Sequence, residues 1–220
     1  MFKKILSKVL PKNKFARGVS VLIGGTAGAQ LLSVLAAPIL TRVYSPDDFG
    51  MLAVFTALLA FFTVISAGRY ELTIPLPDNE QDAADLTVLG FSLVLCTTII
   101  SAFIFIMWPQ KIATIINAPQ ITSYLWIIPL GIFFLGSYQV FNNWAVRQKQ
   151  FKVIAKTRVY QSVGTLAIQL GGHSLGPLAL MGGHAIGQGI GASGLAYSAL
   201  KRPELKKKLL EKYKKASIQV

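Results

Sequence analysis

The sequence predicts an all-α, polytopic membrane protein of about six transmembrane helices. Hydrophobic residues make up 53% of the 220-residue chain, and its mean hydropathy is +0.53. Only 14% of the residues are charged, whereas a soluble domain carries about 25%. The stretch from Val19 to Leu40 contains no charge. Because a helix rises 1.5 Å per residue, about 20 apolar residues cross the hydrocarbon core of a bilayer.

Six apolar runs, bounded by charges and by Pro/Gly clusters, are predicted as the membrane spans. The fifth is the least apolar, because Lys156 and Arg158 lie in its first turns, from which long side chains can reach the interface. The chain therefore divides into a basic amphipathic segment (1–17), a six-helix lobe (18–200) and a basic tail (201–220). The predicted spans are 19–41, 49–67, 86–108, 121–146, 153–172 and 178–200.

The Lys and Arg residues predict the orientation of these spans. Six lie in the N-terminal segment, five follow the fourth span, and eight lie in the tail from Lys201. With both termini in the cytoplasm, these residues and Arg69 face inward, and Arg42 and Lys111 face outward. Cytoplasmic loops of membrane proteins carry the excess of Lys and Arg, so the sequence predicts six spans with both ends inside.

The first ten residues carry an apolar stripe with helical spacing, and the tail repeats it less cleanly. Docking of both ends on anionic lipid is one interpretation, and ordinary topology signalling is the other. A cleaved signal peptide is a further alternative, but the apolar run continues past Ala27-Gly28-Ala29 to Leu40, which favours an anchor. The stripe comprises Phe2, Ile5, Leu6, Val9 and Leu10.

Catalytic, metal and nucleic-acid functions find little support in the sequence. The net charge is +13, but the charges are segregated to the ends and loops, which argues against a nucleic-acid partner. Cys96 lies in an apolar run, and no catalytic set, paired carboxylates or metal-ligand spacing occurs. We therefore expect no enzyme activity, no metal and no cofactor. His184, in the sixth span, is a candidate proton-relay group, with a packing role as the simpler interpretation.

Glycines spaced by four residues predict close helix packing. Gly183, Gly187 and Gly191 share one face of the sixth span, and Gly24 and Gly28 do so in the first. The sixth span also contains a formal G-x-G-x-x-G pattern. Dinucleotide binding is excluded because no strand precedes it and it lies inside a span.

Two segments flank the second span. Ser45-Pro46-Asp47-Asp48 predicts a helix start, with Ser45 as N-cap, proline at the first helical position and acids at the positive end of the dipole. After the span, Arg69 and Glu71 lie at the membrane boundary, ahead of an acidic, proline-containing stretch. Arg69 is either a ligand for a carboxylate or phosphate, or half of a structural ion pair with Glu71.

The stretch TRVYSPDDFG (41–50), between spans one and two, resembles a signature of the Wzx-type polysaccharide flippases. These belong to the multidrug/oligosaccharidyl-lipid/polysaccharide exporter superfamily. Arg69-Tyr70-Glu71 followed by IPLP (74–77) is similar to the continuation seen in many of them. The amphipathic start, the basic loop after span four and the glycine-rich sixth span also fit, so the resemblance extends over essentially the whole chain.

The resemblance implies translocation of a polyprenyl-pyrophosphate-linked oligosaccharide across the bacterial plasma (inner) membrane for O-antigen or capsule assembly. Because the sequence contains no Walker-type nucleotide site, we expect an ion gradient to supply the energy. Members of the family have twelve to fourteen spans in two lobes, so this chain corresponds to an N-terminal lobe that needs a second lobe or a second copy of itself. The expected partners are the bilayer and the lipid-linked oligosaccharide. The candidate substrate-binding residues are Arg42, Arg69, Gln139, Asn142 and Asn143, with Gln30 and Gln169 as further sugar-facing amides.

Two other functions stay open from the sequence. One is export of a drug or other small molecule by the same superfamily, against which the Arg69-Tyr70-Glu71 stretch argues. The other is a non-transporting membrane scaffold or the inactive product of a truncated gene.

Overall fold

A computed structural model describes residues 14–66 and 68–201. Within them the fold is entirely helical, which confirms the predicted all-α class. Short 3-10 turns at Tyr70–Thr73, Pro119–Tyr124 and His173–Leu175 connect the helices. The predicted amphipathic stripe (1–10) and the tail beyond 201 lie outside the described residues. The α-helices are α1 Lys14–Val43, α2 Pro46–Ser66, α3 Glu80–Met107, α4 Pro109–Ile115, α5 Ile127–Arg147, α6 Phe151–Gly171 and α7 Pro177–Leu200.

Six of these helices correspond to the six predicted spans, with differences at their ends. Helix α1 runs without a break through the predicted boundary at 17/18. Helix α3 begins at Glu80, before the apolar run, because the Asn79 side chain accepts a hydrogen bond from the Gln81 backbone N–H at 3.0 Å and caps it. Helix α5 begins later than predicted, since Pro119 starts a separate 3-10 turn.

Within residues 14–66 and 68–201, three helices are long and apolar enough to cross a membrane: Phe15–Val43, Pro46–Ser66 and Glu80–Met107. Helices α5, α6 and α7 have 21, 21 and 24 residues, which at 1.5 Å per residue is also sufficient length. They are more polar, and α6 buries Thr157, Gln161 and Gln169. The membrane character of the fold is therefore supported, and the crossing of these last three helices stays a prediction.

Helices α5 and α7 form the centre of the bundle. Helix α7 packs between α6 and α5, α1 packs on the outer side of α6, and α3 packs on the outer side of α5. Helix α2 lies across α5 and α7. The buried side chains of α5, among them Ile128, Ile132 and Trp144, fill the space between its neighbours. Residues on this one helix therefore reach three different interfaces.

The glycines of α7 let α6 approach closely. A methyl group at Gly183 would lie 2.8 Å from Gln169 Cγ, and one at Gly187 or Gly191 would overlap the side chains of Thr165 or Gln161. The Gln161 amide also donates a hydrogen bond across this interface to Gln188, at 3.0 Å. The three glycines therefore occupy the face that the spacing predicts, against a neighbouring helix.

Gly24 and Gly28 do not make the packing contact predicted for them. No atom lies within 4 Å of a methyl group built at either position. Helix α1 instead meets α6 one residue further along, where a methyl group at Gly25 would lie 2.6 Å from Ala155 Cβ. One residue rotates the contact by about 100° around a helix, so a spacing pattern shared by neighbouring residues does not fix which of them faces the partner.

We expect Gly187→Leu to destabilise the bundle by about 1–3 kcal/mol, because the new side chain has no room against α6. Gly24→Leu is the matched control, since it makes the same substitution in a helix but into open space. Thermal unfolding of the two purified variants in one detergent tests this. Equal unfolding temperatures for both would show that the α6–α7 contact is not closely packed.

Candidate functional site

The two ends of the bundle differ in charge. One end, here called the basic end, carries Arg17, Lys149, Lys152 and Lys201, and the opposite end carries Arg42 and Lys111. The turn from α1 to α2 lies at the opposite end. The turn from α2 to α3 and the end of α5 lie at the basic end.

The turn at the opposite end has a structural role. The Asp48 backbone N–H donates to Ser45 Oγ at 3.2 Å, and the Ser45 N–H donates to the Asp48 carboxylate at 2.9 Å. This reciprocal cap confirms the predicted helix start. The buried Tyr44 hydroxyl donates to the Gln169 backbone carbonyl. Burial, and then the Asp48 carboxylate, raise the pKa of Tyr44, so its hydroxyl stays protonated and keeps its donor.

A cavity of about 460 Å³ opens at the basic end between α2, the turn that follows it, and α5. Three side chains come from each of these elements, and their positions follow from helix geometry, since residues three or four apart share a face. The lining residues are Ala60, Thr63 and Val64 on α2, Arg69, Glu71 and Leu72 in the turn, and Leu135, Gln139 and Asn143 on α5.

The turn presents its two charged residues differently. Gly68 and Arg69 both adopt left-handed backbone conformations, with φ of 56° and 62°, and this conformation costs a non-glycine residue on the order of 1 kcal/mol. Arg69 is exposed, while Glu71 is 4% exposed and its Oε2 is buried without a hydrogen-bond partner. Strained residues and unpaired buried polar atoms both concentrate at functional sites.

Arg69 and Glu71 do not form the structural ion pair that was one interpretation of the sequence. Among the residues that the structure describes, the carboxylate within 4 Å of an arginine is Glu80, which pairs with Arg147 at 3.5 Å. The Asn143 amide donates to the Gln139 backbone carbonyl at 3.0 Å, which leaves its own oxygen as an acceptor. The cavity thus combines an exposed cation with an unpaired carboxylate oxygen and two amides.

Of the five residues predicted to bind substrate, the structure brings together Arg69, Gln139 and Asn143. Arg42 is exposed at the opposite end, which separates it from this cavity. Asn142 lies on a different face of α5, where its Oδ1 is buried without a hydrogen-bond partner.

The further amides have other surroundings. Gln30 is exposed on α1, and Gln169 is buried and donates to the Leu180 carbonyl at 3.1 Å. His184 packs edge-on against Phe55, with ring centroids 6.3 Å apart.

Glu71 was not predicted as a site residue. The signal available in the sequence was an acidic residue directly after an apolar span, where a carboxylate needs either a partner or a ligand. Its neighbour Arg69 is an obvious partner in the sequence. The left-handed turn instead leaves Arg69 exposed and buries Glu71.

Arg147 holds the rest of the α2–α3 connection against the end of α5. Its guanidinium donates to the carbonyls of Pro75 and Asp78, each at 3.4 Å, and to the carbonyl of Pro77. Its side chain is 9% exposed, while that of Glu80 is 50% exposed. Proline supplies no N–H and prevents a regular helix here, so a side chain takes over the pairing of these carbonyls.

Replacing Arg147 with methionine should cost about 1–3 kcal/mol of stability, because it leaves the part-buried carbonyls of the proline-containing loop without their donor. Glu80→Gln removes the negative charge of the ion pair but leaves Arg147 on the carbonyls, and should cost less than about 1 kcal/mol because Glu80 is half exposed. Thermal unfolding and the rate of proteolysis at residues 75–78 measure both. Equal losses would place the stabilisation in the ion pair instead.

Comparison with known proteins assigns the chain to a family. A model described as "Polysaccharide biosynthesis protein" matches residues 39–215, a range that includes the cavity, the Arg147 contacts and all helices from α2 to α7. The search of curated proteins and the search of solved structures each found no match. Because the family model matches well over half of the chain, the chain belongs to the polysaccharide biosynthesis protein family.

Proposed function

We propose that this protein takes part in moving a polyprenyl-pyrophosphate-linked oligosaccharide across the bacterial plasma membrane during surface polysaccharide assembly. Membership of a polysaccharide biosynthesis family and the apolar helices support a membrane step in that process. The observation that carries the proposal is the cavity at the basic end, which is lined by the exposed Arg69, the buried Glu71 and two side-chain amides.

The cavity suits a ligand with an anionic group and several hydroxyls. Arg69 lies exposed in a turn, where its guanidinium can form paired hydrogen bonds to a phosphate oxygen. The Glu71 carboxylate and the oxygen of Asn143 are the proposed acceptors for sugar hydroxyls, and the Gln139 amide can both donate and accept. In this assignment the diphosphate contacts Arg69 and the first sugar enters the cavity.

The proposed activity is transport rather than catalysis, and it requires no cofactor. The positive-inside distribution supports an orientation with both termini in the cytoplasm, which puts the cavity on the side where a lipid-linked precursor is made. Alternating access needs two halves that rock against each other, so the proposal includes a second lobe or a second copy of this chain as partner. An ion gradient is the proposed energy source.

We expect Arg69→Ala to weaken saturable binding of a polyprenyl-diphosphate-linked oligosaccharide by roughly tenfold or more, because it removes charge-assisted hydrogen bonds. Arg42→Ala, which removes an exposed arginine from the opposite end, is the matched control and should bind normally. Titration of the purified protein with a fluorescent lipid-linked oligosaccharide measures both.

Normal binding by Arg69→Ala, with loss in Arg42→Ala, would move the substrate site to the opposite end. The absence of saturable binding in the unmodified protein would contradict the proposal and favour a small-molecule exporter or a scaffold. Restoration of surface polysaccharide in a bacterial strain that lacks its own flippase, by a chain containing this lobe, tests the transport step separately from binding.

A further inference from the structure

A second region of the basic end contains several cations and no carboxylate among the described residues that line it. Five exposed cations line two adjoining cavities across the start of α6, and we call these two cavities together the basic trough. One cavity, of about 690 Å³, lies between α1 and α6, and the other, of about 370 Å³, lies between α6 and α7. Lys152 and Val153 line both. The five cations are Arg17, Lys149, Lys152, Lys156 and Lys201.

None of these five cations pairs with a carboxylate in the part of the chain that the structure describes. The acidic residues of that part do not line either cavity: they lie at the start of α2, in the α2–α3 connection and in the first two turns of α3. The main packing partner of helix α3 is α5. Like charges gathered in one place repel one another, and an anion bound among them would relieve that repulsion.

The trough is a formed cavity rather than a scatter of surface lysines. The rings of Phe15 and Phe151 meet edge to face at 5.7 Å, and a methyl group at Gly18 would lie 2.7 Å from the Phe151 ring. The Ser198 hydroxyl donates to the Gln150 side chain at 2.7 Å and joins the end of α7 to the start of α6. These contacts fix the three helix ends relative to one another.

Aromatic rings accompany the cations. Lys201 lies over the ring of Tyr197 at 4.5 Å, and Lys156 lies over that of Tyr160 at 5.3 Å. Both tyrosines and Phe15 are more than half exposed. Tyrosine and cationic side chains concentrate where hydrocarbon meets headgroup, and basic pockets between helix ends bind anionic headgroups. Exposed rings at the ends of membrane helices fit a lipid better than a soluble anion.

We propose that the basic trough binds the phosphate headgroup of an anionic bilayer phospholipid in the leaflet at the basic end. The cations contact the phosphate oxygens, and the exposed rings lie beside the upper acyl chains. This site is separate from the cavity of Arg69 and Glu71 and does not depend on the function proposed for that cavity.

Native mass spectrometry of the purified protein with added phosphatidylglycerol, and with phosphatidylcholine as the zwitterionic reference, tests the site. We expect phosphatidylglycerol to be retained preferentially, and the double variant Lys152→Gln/Lys156→Gln to bind it roughly tenfold or more weakly. The matched control is Arg42→Gln/Lys111→Gln, which removes two cations from the opposite end and should retain the lipid. Lys152→Arg/Lys156→Arg keeps both charges and should also retain it.

Two results would overturn the proposal. Unchanged phosphatidylglycerol binding by the Gln variant shows that the trough is not the site, and an equal loss in the control shows that overall charge, rather than the trough, attracts the lipid. A third arm adds a polyprenyl diphosphate as competitor. Displacement of phosphatidylglycerol by equimolar polyprenyl diphosphate would assign the trough to the transported substrate and would also overturn the bilayer-lipid assignment. If the double Gln variant fails to fold, the single variants Lys152→Gln and Lys156→Gln make the same comparison against Arg42→Gln, and equal binding by all three would overturn the proposal.

Discussion

The guanidinium of Arg147 connects three parts of the basic end: the end of α5, the proline-containing loop and the start of α3. It lies at the last turn of α5, it donates to carbonyls of the proline-containing loop, and it pairs with Glu80 at the start of α3. Carbonyls at a membrane boundary need internal partners where water is scarce. The turn that carries Arg69 and Glu71 lies between α2 and this contact. Arg147 therefore anchors the chain that follows this turn, although it does not itself line the cavity.

The packing of α6 against α7 rests on a different constraint. Lipid tails are as apolar as leucine side chains, so helices in a membrane gain little from burying large apolar residues against each other. Such helices are stabilised by close contact between their backbones, and the row of glycines on α7 allows this contact. The Gln161–Gln188 hydrogen bond also pairs two polar side chains across this interface. The most polar helix of the bundle is thereby kept beside its most glycine-rich one.

Local chemistry was sufficient to predict a large part of this structure. The charge-free runs predicted the long helices, and Ser45, Pro46 and Asp48 predicted the start of α2, because these effects act within a few residues. The spacing of Gly183 and Gly187 gave the right face because only one row of glycines runs along α7 there.

The site was less accessible to sequence reasoning, for physical reasons. Helix α1 contains overlapping small residues, so its pattern could not distinguish Gly24 from Gly25. The partner of Glu71 was inferred from proximity in the chain, whereas the ion pair that forms joins Arg147 to Glu80, which lie on different helices. The grouping of Arg69 with Gln139 and Asn143 arises from the packing of α2 on α5, which no local pattern encodes.

The position of α1 has a consequence for how the protein is made. Helix α1 packs against α6, and the Ser162 hydroxyl donates to the Ala29 carbonyl across a separation of 133 residues. At a synthesis rate of about 5–20 residues per second, roughly 7–27 s pass between the emergence of these two residues from the ribosome. During that interval the main packing partner of α1 has not yet been made. Its mean hydropathy of 1.7 and its small buried share suit a helix that waits in an apolar environment for a partner made much later.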